Sequence, residues 1–190
     1  MRGVAWVGFV VAGALLGSCA RDPYVTGDGE TRSGGWYIAR QIDRVTDAEL
    51  PSAAVFGYAS NSYVTFPKAS QFQITCFDGR PLVRFTFAFK IGNDRESVFG
   101  YRFDDRPGHA NVEARIVKDR QIIVIEEPAA VATFLSELPG SRTLYIRIRS
   151  LLAGRTSAEY VLEGSDAAIN AAFANCPMPV LQAPPAKRTS

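Results

Sequence analysis

The residue with the most definite chemistry is Cys19, which follows Leu16-Gly17-Ser18 at the end of an apolar run. Small residues ahead of a cysteine let the backbone lie extended in a peptidase cleft, and the thiol is the nucleophile that accepts a diacylglycerol group. Upstream, Arg2 is the only charge before the run from Val4 to Leu16, which is built of apolar residues and glycine. That run falls well short of the about 20 residues a helix needs to cross a bilayer core. One positive charge, a short apolar stretch and then small residues form the pattern of an export signal. Residues 1–18 are therefore expected to be a lipoprotein signal peptide, with Cys19 the lipidated first residue of the mature chain. An ordinary secretory signal or an uncleaved anchor is the plainer alternative. Buried methylenes contribute roughly 0.8 kcal/mol each, so two or three acyl chains hold a protein on a membrane without a transmembrane helix.

Lipidation uses one of the three cysteines and leaves Cys76 and Cys176. In an oxidising compartment an even pair is expected to form a disulfide. Closing a loop of about 100 residues stabilises by roughly 4–5 kcal/mol in the chain-entropy treatment. The alternatives are a pair of free buried thiols or a thiolate nucleophile. A nucleophile wants a base nearby, and the only histidine, His109, lies in a turn-like Pro107-Gly108-His109 stretch that reads as solvated.

No other catalytic set emerges. A serine hydrolase would need a base for its serine. Metal sites need several convergent ligands, whereas Asp104-Asp105 and Glu126-Glu127 are neighbours in sequence and point apart on a strand. A turn and a helix start explain them, the latter because acids complement the positive end of a helix. No metal and no other cofactor is expected, and the chain is read as non-enzymatic. The most suggestive polar residues are arginines. In Leu144-Tyr145-Ile146-Arg147-Ile148-Arg149, the aliphatics alternate with Tyr145, Arg147 and Arg149, which share the outward face. Together with Arg102 they form a candidate partner-binding set, since arginine and tyrosine bind through planar groups. An exposed strand kept soluble by charge is the plainer account. Tyr101-Arg102-Phe103-Asp104 could supply an internal Arg–Asp pair.

The elements that must position these residues are mostly strands. Phe72, Ile74 and Cys76 alternate with Gln73 and Thr75. Val83, Phe85, Phe87 and Phe89 alternate with Arg84 and Thr86. Such period-two patterns predict strands at Gln71–Phe77 and Leu82–Phe89, joined by a hairpin at Asp78-Gly79-Arg80-Pro81. Further strands are expected at Trp36–Arg44, Ala53–Tyr58, Ser97–Phe103, Val112–Val117, Gln121–Ile125, Leu144–Arg149 and Ala158–Leu162. Val131, Phe134, Leu135 and Leu138 repeat at helical spacing behind Pro128 and stop at Pro139-Gly140. Ile169, Ala172, Phe173 and Cys176 do the same behind Ser165-Asp166, either of which could cap a helix. Cys176 then lies on the apolar face of the second helix and Cys76 on the core side of its strand, so a bridge would pin that helix over the sheet. The expected fold is mainly β, a β-rich α+β architecture. It is an antiparallel β-sandwich or half-open barrel with two short helices, one of them C-terminal.

Removing residues 1–18 leaves about 170 residues, enough for one domain. Residues 19–35, with Gly27, Gly29, Gly34 and Gly35 and mixed charge, read as the lipidated cysteine and a flexible tether. Residues 36–176 are the single β-rich domain, and the proline-rich 177–190 read as a disordered tail. Lys+Arg number 21 against 19 acids, and a near-balance without a basic cluster argues against nucleic acid as a partner. Aromatic residues at 11% argue against disorder.

A family likeness runs through the domain. It comprises Trp36 at the opening, Asp43 and Asp47, Ile74-Thr75-Cys76, Tyr101-Arg102-Phe103-Asp104, Phe134 and Leu138, and Ile146-Arg147. Glu159-Tyr160-Val161-Leu162-Glu163-Gly164, Ala168-Ile169 and a final Cys176 complete it. The order resembles the VasI/TagO-type periplasmic proteins associated with type VI secretion. Tyr160 stands where that family carries phenylalanine, and a lipobox is not one of its general marks. The resemblance implies an accessory envelope role and no catalytic residues. The expected function is thus a non-catalytic envelope lipoprotein that contacts the membrane through its lipid and an unknown envelope protein through its domain. An envelope enzyme such as a cell-wall hydrolase, or an inhibitor or immunity-type lipoprotein, are the alternatives. Ala20 follows the lipidated cysteine where an aspartate would suggest inner-membrane retention, so the periplasmic face of the outer membrane is the expected location.

Overall fold

Alternation of apolar and polar residues builds nearly the whole molecule. In the computed structural model, which describes residues 25–179, eleven strands form one antiparallel sheet. A first hairpin pairs β1 (Val25–Ser33) with β2 (Trp36–Asp43), and β2 pairs in turn with the long β3 (Glu49–Asn61). Next come β4 (Lys68–Phe77), β5 (Arg80–Phe87), β6 (Ser97–Phe103), β7 (His109–Val112), β8 (Arg115–Val117) and β9 (Ile122–Ile125). Helix α1 (Pro128–Glu137) precedes β10 (Thr143–Ser150) and β11 (Gly154–Val161), and helix α2 (Ser165–Ala172) follows. The strands lie in the order β7-β6-β10-β11-β3-β4-β5-β9-β8. One edge of β3 carries β4. The other is divided between β2, along its first half, and β11, along its second.

The two ends of that order are consecutive in the chain. β7 pairs with β6 and β8 pairs with β9, so the two residues between them, Glu113 and Ala114, cross from one edge of the sheet to the other. The sheet is therefore a curled half-barrel. This corrects the expectation of one strand over Val112–Val117: its alternation is real, but Asn111 takes a positive φ of 59° and the register slips between Phe99 and Gly100, which turns the chain at a corner.

The inner face of the curl is filled by aromatic side chains and both helices. Phe134 of α1 is fully buried and meets the rings of Phe72, Phe85, Tyr101 and Phe103 at centroid distances of 4.7–6.2 Å. The helix starts where Glu127 caps it, its carboxylate accepting from Ala130 N–H at 2.7 Å, with Pro128 in the first turn. Trp36 is sealed beside Phe72, and its indole N–H donates to the Leu162 carbonyl at 3.2 Å. Helix α2 is shorter than its apolar spacing suggests. Gly164, at φ 90°, is its N-cap without a side-chain bond, and Ser165 already lies inside the helix. Neither Ser165 nor Asp166 is the cap, and the chain leaves the helix at Phe173 in a turn that carries Cys176 to Cys76. The two cysteines form a disulfide, with Cα atoms 5.9 Å apart.

The tether expectation over residues 19–35 also needs correction. Residues 25–33 are β1, paired with β2 across the Gly34-Gly35 turn, where Gly34 takes φ 56°. The strand bonds through its backbone and shows polar residues at an exposed edge, so it has no apolar period to betray it. Arg32 adds its guanidinium over the Tyr37 ring at 4.2 Å. Cys19, the signal peptide and residues 180–190 lie outside the described residues.

Candidate partner-binding face

Outward positions on β6, β10 and β11 carry the cationic residues. Tyr145 is the register partner of Arg102 on one side and Glu159 on the other, and the Arg102 guanidinium sits 5.1 Å from the Tyr145 ring centroid. Arg147 stands opposite Gly100. Arg149 stands opposite Arg155, a like-charge cross-strand pair that opposes folding. Across these three strands the outward side chains include Arg102, Arg147, Arg149 and Arg155 against the single carboxylate of Glu159. Among the described residues none of these arginines has a salt bridge. The sequence-derived set is thus brought onto one face, and Arg155 joins it. It went unseen because β11 begins at Gly154, where no alternation announces it.

Gly100 shapes the face. A Cβ there would lie 2.7 Å from the His109 carbonyl, so only glycine lets β7 approach β6 this closely. Beside it lies a hollow of about 350 Å³ walled by Arg102, Tyr145, Arg147 and His109. Arg149 lines a separate depression with Arg155 and Glu96. His109 is therefore not the solvated turn residue that its Pro-Gly neighbours suggest. It opens β7, stacks on Tyr101 at 4.7 Å, and its Nε2 lies 2.7 Å from Glu137 Oε1. The partner carboxylate comes from the end of α1, 28 residues on, a separation that no local pattern reveals. Burial, and then the Glu137 charge, push the Tyr101 phenol above its ordinary range.

Asp104 does not pair with Arg102. Its carboxylate accepts the backbone N–H groups of Arg142 and Thr143 at 3.0 and 2.8 Å, tying the end of β6 to the start of β10. Glu126 binds Arg115 through two bonds of 2.7 and 2.9 Å while Glu127 caps α1. The adjacent acids thus have separate structural tasks. Among the described residues, no three His, Cys, Asp or Glu side chains are grouped to hold a metal ion.

The fold has a solved counterpart. It matches invasion associated protein B from Bartonella henselae with a TM-score of 0.50 and 11% sequence identity, over 77% of this chain and 97% of that one. At that identity the likeness is one of fold. No protein-family model matches the sequence, and no curated protein does. The VasI/TagO-type resemblance accordingly gains no support from the family comparison.

Proposed function

We propose that this chain is a non-catalytic envelope lipoprotein that docks an acidic surface of a protein partner through Arg102, Tyr145, Arg147 and the neighbouring Arg149–Arg155 pair. The observation that carries the reading is the outward face of β6, β10 and β11. It holds arginines without salt-bridge partners among the described residues, two of them directly opposed. Such a face costs folding stability and is offset when carboxylates of a partner settle on it. Lipidation at Cys19 would hold the domain at the periplasmic face of the outer membrane. No described helix is long and apolar enough to cross a membrane, so attachment in this reading rests on the acyl chains. The role is accessory to a secretion or envelope assembly, in line with the type VI secretion resemblance.

The test is site-specific photo-crosslinking from position 145 in membranes, with position 63, an exposed tyrosine in the β3–β4 loop, as control. The expected result is a reproducible protein adduct from 145 only, reduced at least about ten-fold in the Arg102→Glu/Arg147→Glu chain. Lipid-sized adducts alone, or an adduct indifferent to charge reversal, would overturn the docking face. Mass spectrometry of the mature N-terminus checks the anchor separately: residue 19 first, carrying acyl chains.

A further inference from the structure

Among the described residues β1 pairs with β2 alone, so its other edge carries backbone groups with no strand to bond. Gly29, Glu30, Thr31 and Arg32 are all exposed there. Which groups face outward follows from the turn. Gly34-Gly35 is a two-residue turn between the register partners Ser33 and Trp36, and such a turn is closed by a pair that exchanges both backbone bonds. Bonded and non-bonded pairs alternate along an antiparallel ladder. Thr31 therefore bonds inward to Ile38, while the N–H and C=O groups of Glu30 and Arg32 point to the open side. Further back the register slips between Gly27 and Glu30, so the regular edge is the stretch from Glu30 to Ser33.

The two residues that bond outward carry opposite charges on one face of the strand. An edge of one sign would repel a second copy of itself, whereas this one is complementary to itself. Laid antiparallel about a two-fold axis at Thr31, Glu30 of each copy stands opposite Arg32 of the other. Each such pair can exchange both backbone bonds and set unlike charges face to face. Moving the axis to Glu30 or to Arg32 would oppose like charges, and moving it by half a residue would turn the bonding groups away from one another. We infer that two copies of this chain pair edge to edge through β1 in this register, as an isologous dimer. The Arg32 guanidinium, 4.2 Å over the Tyr37 ring, is already held on the face where Glu30 of the other copy arrives. The pairing uses nothing of the β6–β10–β11 face, and either can fail without the other.

The experiment is oxidative crosslinking of the full chain in membranes, with Cys76 and Cys176 bridged. Opposed residues that exchange no backbone bonds hold their Cα atoms about 4.5 Å apart, within disulfide reach, so Thr31→Cys should join to itself under diamide. Val45→Cys, in the exposed β2–β3 turn, reports chance encounters, and the unsubstituted chain reports any contribution from Cys19. The expected dimer yield from position 31 is well above both. Within Thr31→Cys, adding Glu30→Arg or Arg32→Glu alone should lower the yield about ten-fold, since each opposes like charges. Mixing those two variants under different tags should restore it as mixed dimers, and combining both reversals in one chain should restore it as well. A variant that had merely lost its fold would not be rescued by mixing. Equal yields from positions 31 and 45, charge reversals without effect, or no rescue in the mixture would overturn the pairing.

Discussion

At the scale of single residues, two buried hydroxyls work against the core. Tyr160 is fully buried among Phe72 and Phe85, and its hydroxyl has no hydrogen-bond partner; the Ser70 hydroxyl is also buried and unpartnered. Desolvation dominates and pushes the phenol above its ordinary range; the Ser70 hydroxyl lies near enough to oppose this but not in geometry for a full hydrogen bond. The sign follows from linkage. A folded-state pKa above the unfolded one means the native chain holds its proton more tightly, so stability is full below pH 10 and is lost as pH rises beyond it. Tyr101 adds to the same window. Tyr160→Phe is therefore expected to leave stability at pH 7 within about 1 kcal/mol and to move the alkaline unfolding transition to higher pH. Circular dichroism at rising pH measures this, and an alkaline midpoint unchanged in the variant would show that Tyr160 carries none of it. Arg102, Tyr145 and Arg147 were legible in the sequence because strand alternation fixes which residues share a face.

Among the elements, α1 carries more of the core than its length suggests. Ten residues supply Val131, Phe134 and Leu135 to the buried side, with Leu138 just beyond, and the Phe134 ring touches aromatics from β4, β5 and β6. Phe134→Ala leaves a cavity bounded by strands that cannot close on it. The expected loss is about 3–5 kcal/mol, measured as a lower urea midpoint at unchanged slope. A loss below about 1 kcal/mol would mean that α1 packs less closely than these distances show. This helix, its capping region and most strands were readable, since each has a strong period and a boundary residue. β1 was not, because an edge strand held by backbone bonds needs no apolar pattern. The break between β7 and β8 was not either. Alternation passes straight through it, and what turns the chain is a conformation at Asn111 that many sequences could adopt. His109 was misread for a related reason, its partner Glu137 being supplied by a different element.

For the whole molecule, the decisive link is the bridge between β4 and the turn after α2, which closes a separation of 100 residues. Chain-entropy reasoning assigns a loop of that size about 4.7 kcal/mol, comparable with much of a domain's net stability. The loss on breaking it should be uneven. Helix α2 packs on β1, β2, β3 and β4, and beyond Ala172 the chain is held by buried Phe173, one turn and the bridge. The β6–β10–β11 face is instead held by its own ladder, by Asp104 bonds to Arg142 and Thr143, and by α1. In Cys176→Ser, hydrogen exchange should quicken first in α2 and the β1–β2 hairpin, while β6 and β10 keep most of their protection. Uniform quickening across the sheet would instead make the fold a single cooperative unit in which the bridge acts on the unfolded chain alone. The uneven outcome matters for the proposed role. A docking face that stays ordered when the helix end is loosened would tolerate reduction. Crosslinking from position 145 retained in Cys176→Ser, alongside faster exchange in α2, is the combined result expected.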